Sequence, residues 1–209
     1  MVSVAGLILA AGKSERMGRP KLMLDFHGKT FLEHVVEEAS QSRLTEVKVV
    51  LGHNAEQVQS QFPNLKGNWI VNPEYERGQL SSIQCGLTFF KNYSLDGVML
   101  FLIDHPFISP TLIDQLVEKF GENRSPIVIP SYDHRRGHPV IFAKSLFEEL
   151  WNASPDRGAS DVVRAHEKEI FYVEVDNPGV LVDIDTPEDY SRHIRPSGGR
   201  IRTGGASFE

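Results

Sequence analysis

Four cations, Lys13, Arg16, Arg19 and Lys21, crowd the segment "LILAAGKSERMGRPK" (residues 7–21) of a chain whose formal net charge is −6. They follow an apolar run and the small residues Ala10, Ala11 and Gly12. Successive backbone amides in such a turn form an anion-binding concavity. Arg16 can grip an anion as a planar fork and Lys21 as a point charge. Leu9, Ala10, Ala11, Gly12, Lys13 and Ser14, with these cations, therefore read as a polyphosphate cradle; the plainer alternative is a solvated charged loop. Two common nucleotide motifs are excluded. Met17 stands where a P-loop needs its second glycine, and the G-x-G-x-x-G dinucleotide fingerprint is absent. The loop is not that of a P-loop ATPase or a dehydrogenase.

Carboxylates stand further along. Asp104 in "LIDHP" ends an apolar run, where it can hold Mg²⁺, an ion that takes few protein oxygens beside phosphate and water; a turn or capping role is the alternative. "VDIDTPEDY" supplies Asp183 and Asp185, which share one side if the segment is a strand. Asp185 also precedes a helix start, so local capping competes. In "NPEYERGQLSSIQCG", Asn72 ends a strand and Gly78 permits close backbone approach. Ser81 and Ser82 stand at a helix start, ready to read a base or ribose unless they are plain caps. "DHRRGHPVIF" holds Arg135, Arg136, Gly137, His138 and Pro139. His134 and His138 have the spacing of helix-borne metal ligands, but Gly137 and Pro139 deny the helix. No Ser/His or Cys/His pair stands out as a nucleophile and base.

These residues need a frame. Val4 to Leu9 reads as a buried strand. Thr30 and Glu33 form a capping box, and Phe31, Val35 and Ala39 line one stripe of the helix that follows, beside Leu32 and Val36. Val47 to Leu51 is the second strand and Trp69 to Val71 a short third. Asn54 can cap a helix to Phe62, and another helix spans Leu80 to Phe90. Val98 to Ile103 is a strand buried on both faces. Ser109-Pro110 starts a helix that Gly121 stops near Phe120, and Ile127 to Ile129 is a strand. The rhythm then changes to a turn and a strand that need not be parallel. Two helical stretches (146–151 and 160–167), strands at 170–175 and 180–184, and a last helix opening at Thr186 complete the pattern. Alternating strands and helices imply an α/β protein, a three-layer α/β/α sandwich with a Rossmann-like, mostly parallel sheet and a late antiparallel element. The expected domain covers residues 1–195, and residues 196–209, rich in glycine without apolar periodicity, read as a disordered tail.

The 209 residues suit one domain. The acidic balance excludes a non-specific nucleic-acid binder, which would be basic. The longest apolar run falls well short of the ~18 residues of a membrane span. The single cysteine, Cys85, allows no intrachain disulfide and no cysteine-based zinc site, and it fits a reducing cytoplasm. Cys85 reads as an inert helix residue, and Trp69 and Trp151 as core.

"LILAAGKSERMGRPK" resembles the L-A-A-G-x-S-x-R-M-G-x-x-K signature of the nucleotidyltransferases that mature the molybdenum cofactor, a MobA/MocA-like family with a glycosyltransferase-A-like fold. The likeness extends through "NPEYERGQLSSIQCG", "LIDHPFI", "RRGHPVIF" and "GVLVDIDTPEDY", and is nearest to the cytidylyltransferase branch, including relatives linked to purine hydroxylase maturation. It implies a catalytic set of Lys21, Arg16 and Asp104, and Mg²⁺, or Mn²⁺ in its place, on Asp104 and Asp185. It also implies a nucleoside side formed by Asn72, Gly78, Ser81 and Ser82, and an acceptor side at Arg136, Gly137, His138 and Pro139, with Gly158 to Ser160 as a further small-residue turn. The family often has a small residue where Ile103 stands, and many members have asparagine in place of His138.

The reaction implied is attack by an acceptor phosphate oxygen on the α-phosphorus of a nucleoside triphosphate, with pyrophosphate leaving. A phosphomonoester is largely dianionic at neutral pH, so no strong base is needed; charge neutralisation and in-line positioning are. The resemblance implies CTP as donor and a molybdopterin-type acceptor, with a molybdenum hydroxylase as the downstream partner. Alternatives are guanylyl transfer, a sugar-phosphate acceptor, and a non-catalytic carrier of the cofactor.

Overall fold

The computed structural model describes residues 2–65, 67–154 and 158–194; the expectation for residues 196–209 lies outside them. Ten strands are described: β1 Val4–Ala10, β2 Asp25–Phe26, β3 Lys29–Thr30, β4 Glu46–Leu51, β5 Trp69–Val71, β6 Gly97–Leu102, β7 Ile127–Tyr132, β8 Arg135–Arg136, β9 Val140–Ala143 and β10 Ile170–Glu174. Seven α-helices accompany them: α1 Phe31–Ser40, α2 Ala55–Gln61, α3 Gln79–Phe90, α4 Pro110–Asn123, α5 Phe147–Asn152, α6 Ala159–Ala165 and α7 Pro187–His193. The main sheet runs β10-β7-β9-β6-β1-β4-β5, with β8 on β7, while β2 and β3 form a separate hairpin. β4, β1, β6 and β5 pair in parallel, as do β7 and β10. β9 is antiparallel to both β6 and β7, which is the late antiparallel element expected from the sequence.

The central strands are apolar at every position because both faces are covered. Val4 and Ile8 of β1 join the core under α1 and α4, and Ala5, Leu7 and Leu9 join the core under α3 and α5. The same alternation divides Met99 and Phe101 from Val98 and Leu100 in β6. The Thr30–Glu33 capping box is present at α1, whose Phe31, Leu32, Val35, Val36 and Ala39 are buried. Ser109 and Thr186 cap α4 and α7.

The structure departs from the sequence pattern in four places. Residues 180–184 are not a strand. Pro178–Leu181 form a 3₁₀ turn capped by Asn177, and the backbone is satisfied by loops: His138 N–H donates to Val180 O and Ile184 N–H to Asp104 O. Gly121 does not stop α4, which runs to Asn123 and ends on Arg124 at φ 55°. An interior glycine weakens a helix without terminating it. Asn54 precedes α2 in the left-handed region with no side-chain cap bond. Trp69 and Trp151 are half-buried rather than core.

Candidate active site

The carboxyl ends of β1 and β6 open onto one cleft of about 540 Å³. Open α/β sheets bind ligands at this edge, because strand ends and helix starts leave backbone groups unpaired there. Beyond β1 the chain turns through Ser14 (φ 56°) and Gly18 (φ 70°) around one 3₁₀ turn, Glu15–Met17. Buried Met17 anchors the turn, and the Lys21 amide donates to Ser14 Oγ at 3.0 Å, closing the loop. Among the described residues the amides of Gly12, Lys13 and Ser14 donate to no acceptor. The space beside the Gly12 Cα is open.

Lys21 is the electrostatic centre. It is 8% exposed, and its Nζ donates to Asp104 Oδ2 at 2.8 Å and to Asp185 Oδ1. Arg16 meets the other Asp185 oxygen at 2.7 Å. Burial opposes the Lys21 charge, but the hydrogen bonds to Asp104 and Asp185 outweigh it and hold the ammonium above its ordinary range. The Lys21 hydrogen bond in turn holds the Asp185 carboxyl below its own. Two independent segments deliver these carboxylates: the loop after β6, and the chain entering α7. They are tied together by the Ile184–Asp104 backbone bond at 2.9 Å. Asp189 fixes Asp185 further, its Oδ2 accepting from the Asp185 and Thr186 amides and from Thr186 Oγ. Among the described residues no group of three or more His, Cys, Asp or Glu could hold a metal alone. Asp104 and Asp185 are two hard oxygen donors, the number Mg²⁺ uses when phosphate and water complete its shell. Asp183 is exposed.

The cleft is lined by Leu9 to Ser14, Arg16, Lys21, Gly78, Ser82 and Asp104 from the expected set. Several expected residues stand elsewhere. Arg19 lies over the Tyr190 ring, 5.4 Å from its centroid, so three of the four opening cations face the cleft. Asn72 is buried behind α3 and donates to Ser81 Oγ and Ser82 Oγ. Ser81 is consumed by Glu74 O and Gly78 O; it holds the loop rather than lining the cleft. Gly78 lines the cleft at φ 92°, a conformation that favours glycine, with open space beside its Cα. Tyr75, Glu76 and Gln79 line the cleft but escaped the sequence reading. Glu76 bonds Lys13 at 2.7 Å across the cleft. An exposed "YERGQ" stretch carries no periodicity to mark such a role.

The expected acceptor residues do not line this cleft. Arg136 is exposed, bonded to Glu167 at 2.6 Å and lying over Tyr172. Gly137 packs where a Cβ would sit 2.7 Å from Val180, and Pro139 follows a cis peptide. His138 reaches the site indirectly: its ring lies 4.6 Å from that of His105, the residue after Asp104. Burial, with His105 beside it, pushes His138 down to about 4, and burial also lowers His105. Both rings are neutral at pH 7, and both Nδ1 atoms are buried without a partner among the described residues. Gly158 starts α6 at φ 69°. Cys85 lies half-buried on α3, its thiol pushed up by burial. No described helix is long and apolar enough to cross a membrane.

The sheet order and the loop beyond β1 make this a nucleotidyltransferase fold, and the chain belongs to the MobA-like NTP transferase family, whose domain it matches over residues 6–170. It is 29% identical to the purine catabolism protein PucB of Bacillus subtilis, over 88% of this chain and 93% of that protein. It is 26% identical to the molybdenum cofactor cytidylyltransferase of Escherichia coli, over 91% and 95%. Among solved structures it resembles Rv0371c of Mycobacterium tuberculosis, with a TM-score of 0.81 and 29% identity over 91% of this chain and 96% of that one. It also resembles the manganese complex of Rv0371c, with a TM-score of 0.78 and 25% identity over 93% and 100%.

Proposed function

We propose that this protein transfers the cytidylyl group of CTP to the phosphate of a molybdopterin-type acceptor, releasing pyrophosphate. The observation that carries the reading is the cluster of Lys21, Arg16, Asp104 and Asp185 beside the amides of Gly12, Lys13 and Ser14, which donate to no acceptor among the described residues. The choice of CTP and of the acceptor rests on the sequence resemblance and on the E. coli relative. In the reaction an acceptor phosphate oxygen bonds to the α-phosphorus as the bond from that phosphorus to the β-phosphate bridging oxygen breaks. The amides and Lys13 bind the polyphosphate, and Arg16 and Lys21 neutralise the charge that grows on the leaving pyrophosphate. Asp104 and Asp185 would hold Mg²⁺ or Mn²⁺, as the donor set and the manganese complex of Rv0371c support. When bound, that ion supplies Lewis-acid stabilisation of phosphoryl oxygens. Ser82 and Gln79 face the nucleoside. His138 packs against His105 beside Asp104, and since burial lowers both the pair adds no cation next to the two carboxylates. The cytoplasm is the location proposed, since CTP and reduced thiols are both found there, and a molybdenum hydroxylase is the proposed recipient.

The test is product analysis by mass spectrometry after incubating the purified protein with Mg²⁺, molybdenum-loaded molybdopterin and each of CTP, GTP and UTP. A cytosine dinucleotide formed only with CTP is the expected product. A guanine dinucleotide, or turnover only with a sugar phosphate, would overturn the assignment of donor or acceptor. No turnover with any triphosphate would leave a cofactor carrier instead.

A further inference from the structure

We infer that Lys21 is an internal counter-cation. Its ammonium keeps a divalent ion out of the Asp104–Asp185 pair until a triphosphate draws it away, so that metal and nucleotide enter together. The inference rests on the reading of this cleft as a nucleoside triphosphate site.

The geometry supplies the competition. Lys21 Nζ bonds one oxygen of each carboxylate, Asp104 Oδ2 and Asp185 Oδ1. A divalent ion held by this pair at ~2.0–2.6 Å needs an oxygen of each carboxylate, and Lys21 already holds one oxygen of each. Two cations on the same pair of carboxylates would repel at close range with little water between them, because Lys21 is 8% exposed. Asp185 has no spare oxygen, since Arg16 takes Oδ2. Among the described residues Lys21 is the only cation bonded to Asp104. The pair is therefore neutralised by protein charges in the ligand-free state, and a bare metal ion gains little by entering.

The same placement supplies the exchange. The Lys21 stem is anchored by its own backbone: its amide bonds Ser14 Oγ at 3.0 Å, and its carbonyl accepts from the Leu24 amide at 3.0 Å. The four-carbon side chain above that anchor reorients by rotamer change alone. The loop it closes is the one whose Gly12, Lys13 and Ser14 amides have no acceptor among the described residues. An anionic polyphosphate seated there offers the ammonium a second set of oxygens within the same cleft. When the ammonium moves to it, Asp104 and Asp185 are left facing each other without their shared cation, and a divalent ion is what they then attract. Arg16, whose side chain is 72% exposed at the cleft mouth, can follow the same anion.

The test uses Mn²⁺ as the probe, read by electron paramagnetic resonance on the full chain without nucleotide. K21M retains the stem and removes the charge, and it should bind one Mn²⁺ at least about tenfold more tightly than wild type, since an adjacent opposite charge alters a carboxylate's cation affinity by roughly one to three decades. K21R, which retains the charge, should show no gain, and D104N added to K21M should erase it. Equal Mn²⁺ affinity in K21M and wild type overturns the inference. Should K21M fail to fold, nitrogen-15 NMR of the wild-type lysine ammonium groups decides: the slowly exchanging Lys21 signal should shift when CTP and Mg²⁺ are added together. A Lys21 signal unchanged in that complex is the contrary result. Failure of the underlying reading looks different. If CTP adds nothing to Mn²⁺ binding by wild type while K21M still gains, the nucleotide site is wrong. If CTP raises Mn²⁺ binding while K21M gains nothing, the site stands and the counter-cation falls.

Discussion

Replacing Lys21 by methionine should destabilise the protein in a way that depends on pH. The variant preserves the apolar stem, so packing changes little. It removes two charge-assisted hydrogen bonds, to Asp104 Oδ2 and Asp185 Oδ1. Each is worth ~1.5–3 kcal/mol when the partner is charged, and two offsets reduce the total. Methionine avoids the desolvation of a buried ammonium, and the two carboxylate side chains retain 24% and 23% of their exposure, so water replaces part of what is lost. Asp185 also retains Arg16 at 2.7 Å. The net cost should be about 1–3 kcal/mol at neutral pH. The sign with pH follows from Asp185, whose carboxyl the Lys21 hydrogen bond holds below its ordinary value. A depressed folded-state pKa contributes stability above the unfolded value of about 3.9, and that stability is lost as pH falls through the folded value. The deficit of K21M should therefore be full at neutral pH and shrink as pH drops through and below about 4. Urea unfolding of both proteins across that range measures it, with the slope unchanged. A variant as stable as wild type at neutral pH, or a deficit that persists undiminished in acid, would refute the electrostatic reasoning.

Other outcomes follow from single contacts. Asp189→Ala removes the acceptor for the Asp185 and Thr186 amides and should lower the thermal midpoint, as loss of a helix cap does; thermal unfolding measures it, and weaker Mn²⁺ binding in the presence of CTP should accompany it. Gly137→Ala sets a Cβ 2.7 Å from Val180 Cγ2 and Val180 O. It should lower the urea midpoint by an amount equal to about 1–3 kcal/mol, and an unchanged midpoint would show that the Val180 turn yields. Hydrogen bonds to Glu149 and Glu169 raise His166. A raised histidine stabilises fully below its unfolded value of about 6.5, and the effect is lost as pH rises through the folded value. Wild type should lose stability across that window while His166→Phe loses none.

The layered architecture was legible because its signals are local or strictly periodic. The capping box at Thr30, the proline-first helix after Ser109 and the continuous apolar run of β6 each have one physical interpretation. The loop from Leu9 to Lys21 stood out because small residues and four cations share one short segment, and the fold sets most of that segment along the cleft. What failed depended on the fold's long-range contacts. Residues 180–184 have the apolar content of a strand, but their backbone bonds go to His138 and to Asp104, which lie far away in sequence. Ser81 and Ser82 are neighbours of one type, yet the Glu74 and Gly78 carbonyls consume Ser81 while Ser82 reaches the cleft. Arg19 matches the other cations by composition, and only the position of Tyr190 on α7 separates it from them. Gln79 and Glu76 carry no pattern that distinguishes them from any exposed polar residue.

The central claim is that the turn beyond β1 cradles a polyphosphate. A crystal structure of the protein with CTP and Mg²⁺ tests it most directly. The triphosphate should lie against the Gly12, Lys13 and Ser14 amides, with Arg16 and Lys21 on its oxygens and the ion on Asp104 and Asp185. Nucleotide bound elsewhere, with Lys21 still locked between the two carboxylates, would contradict it.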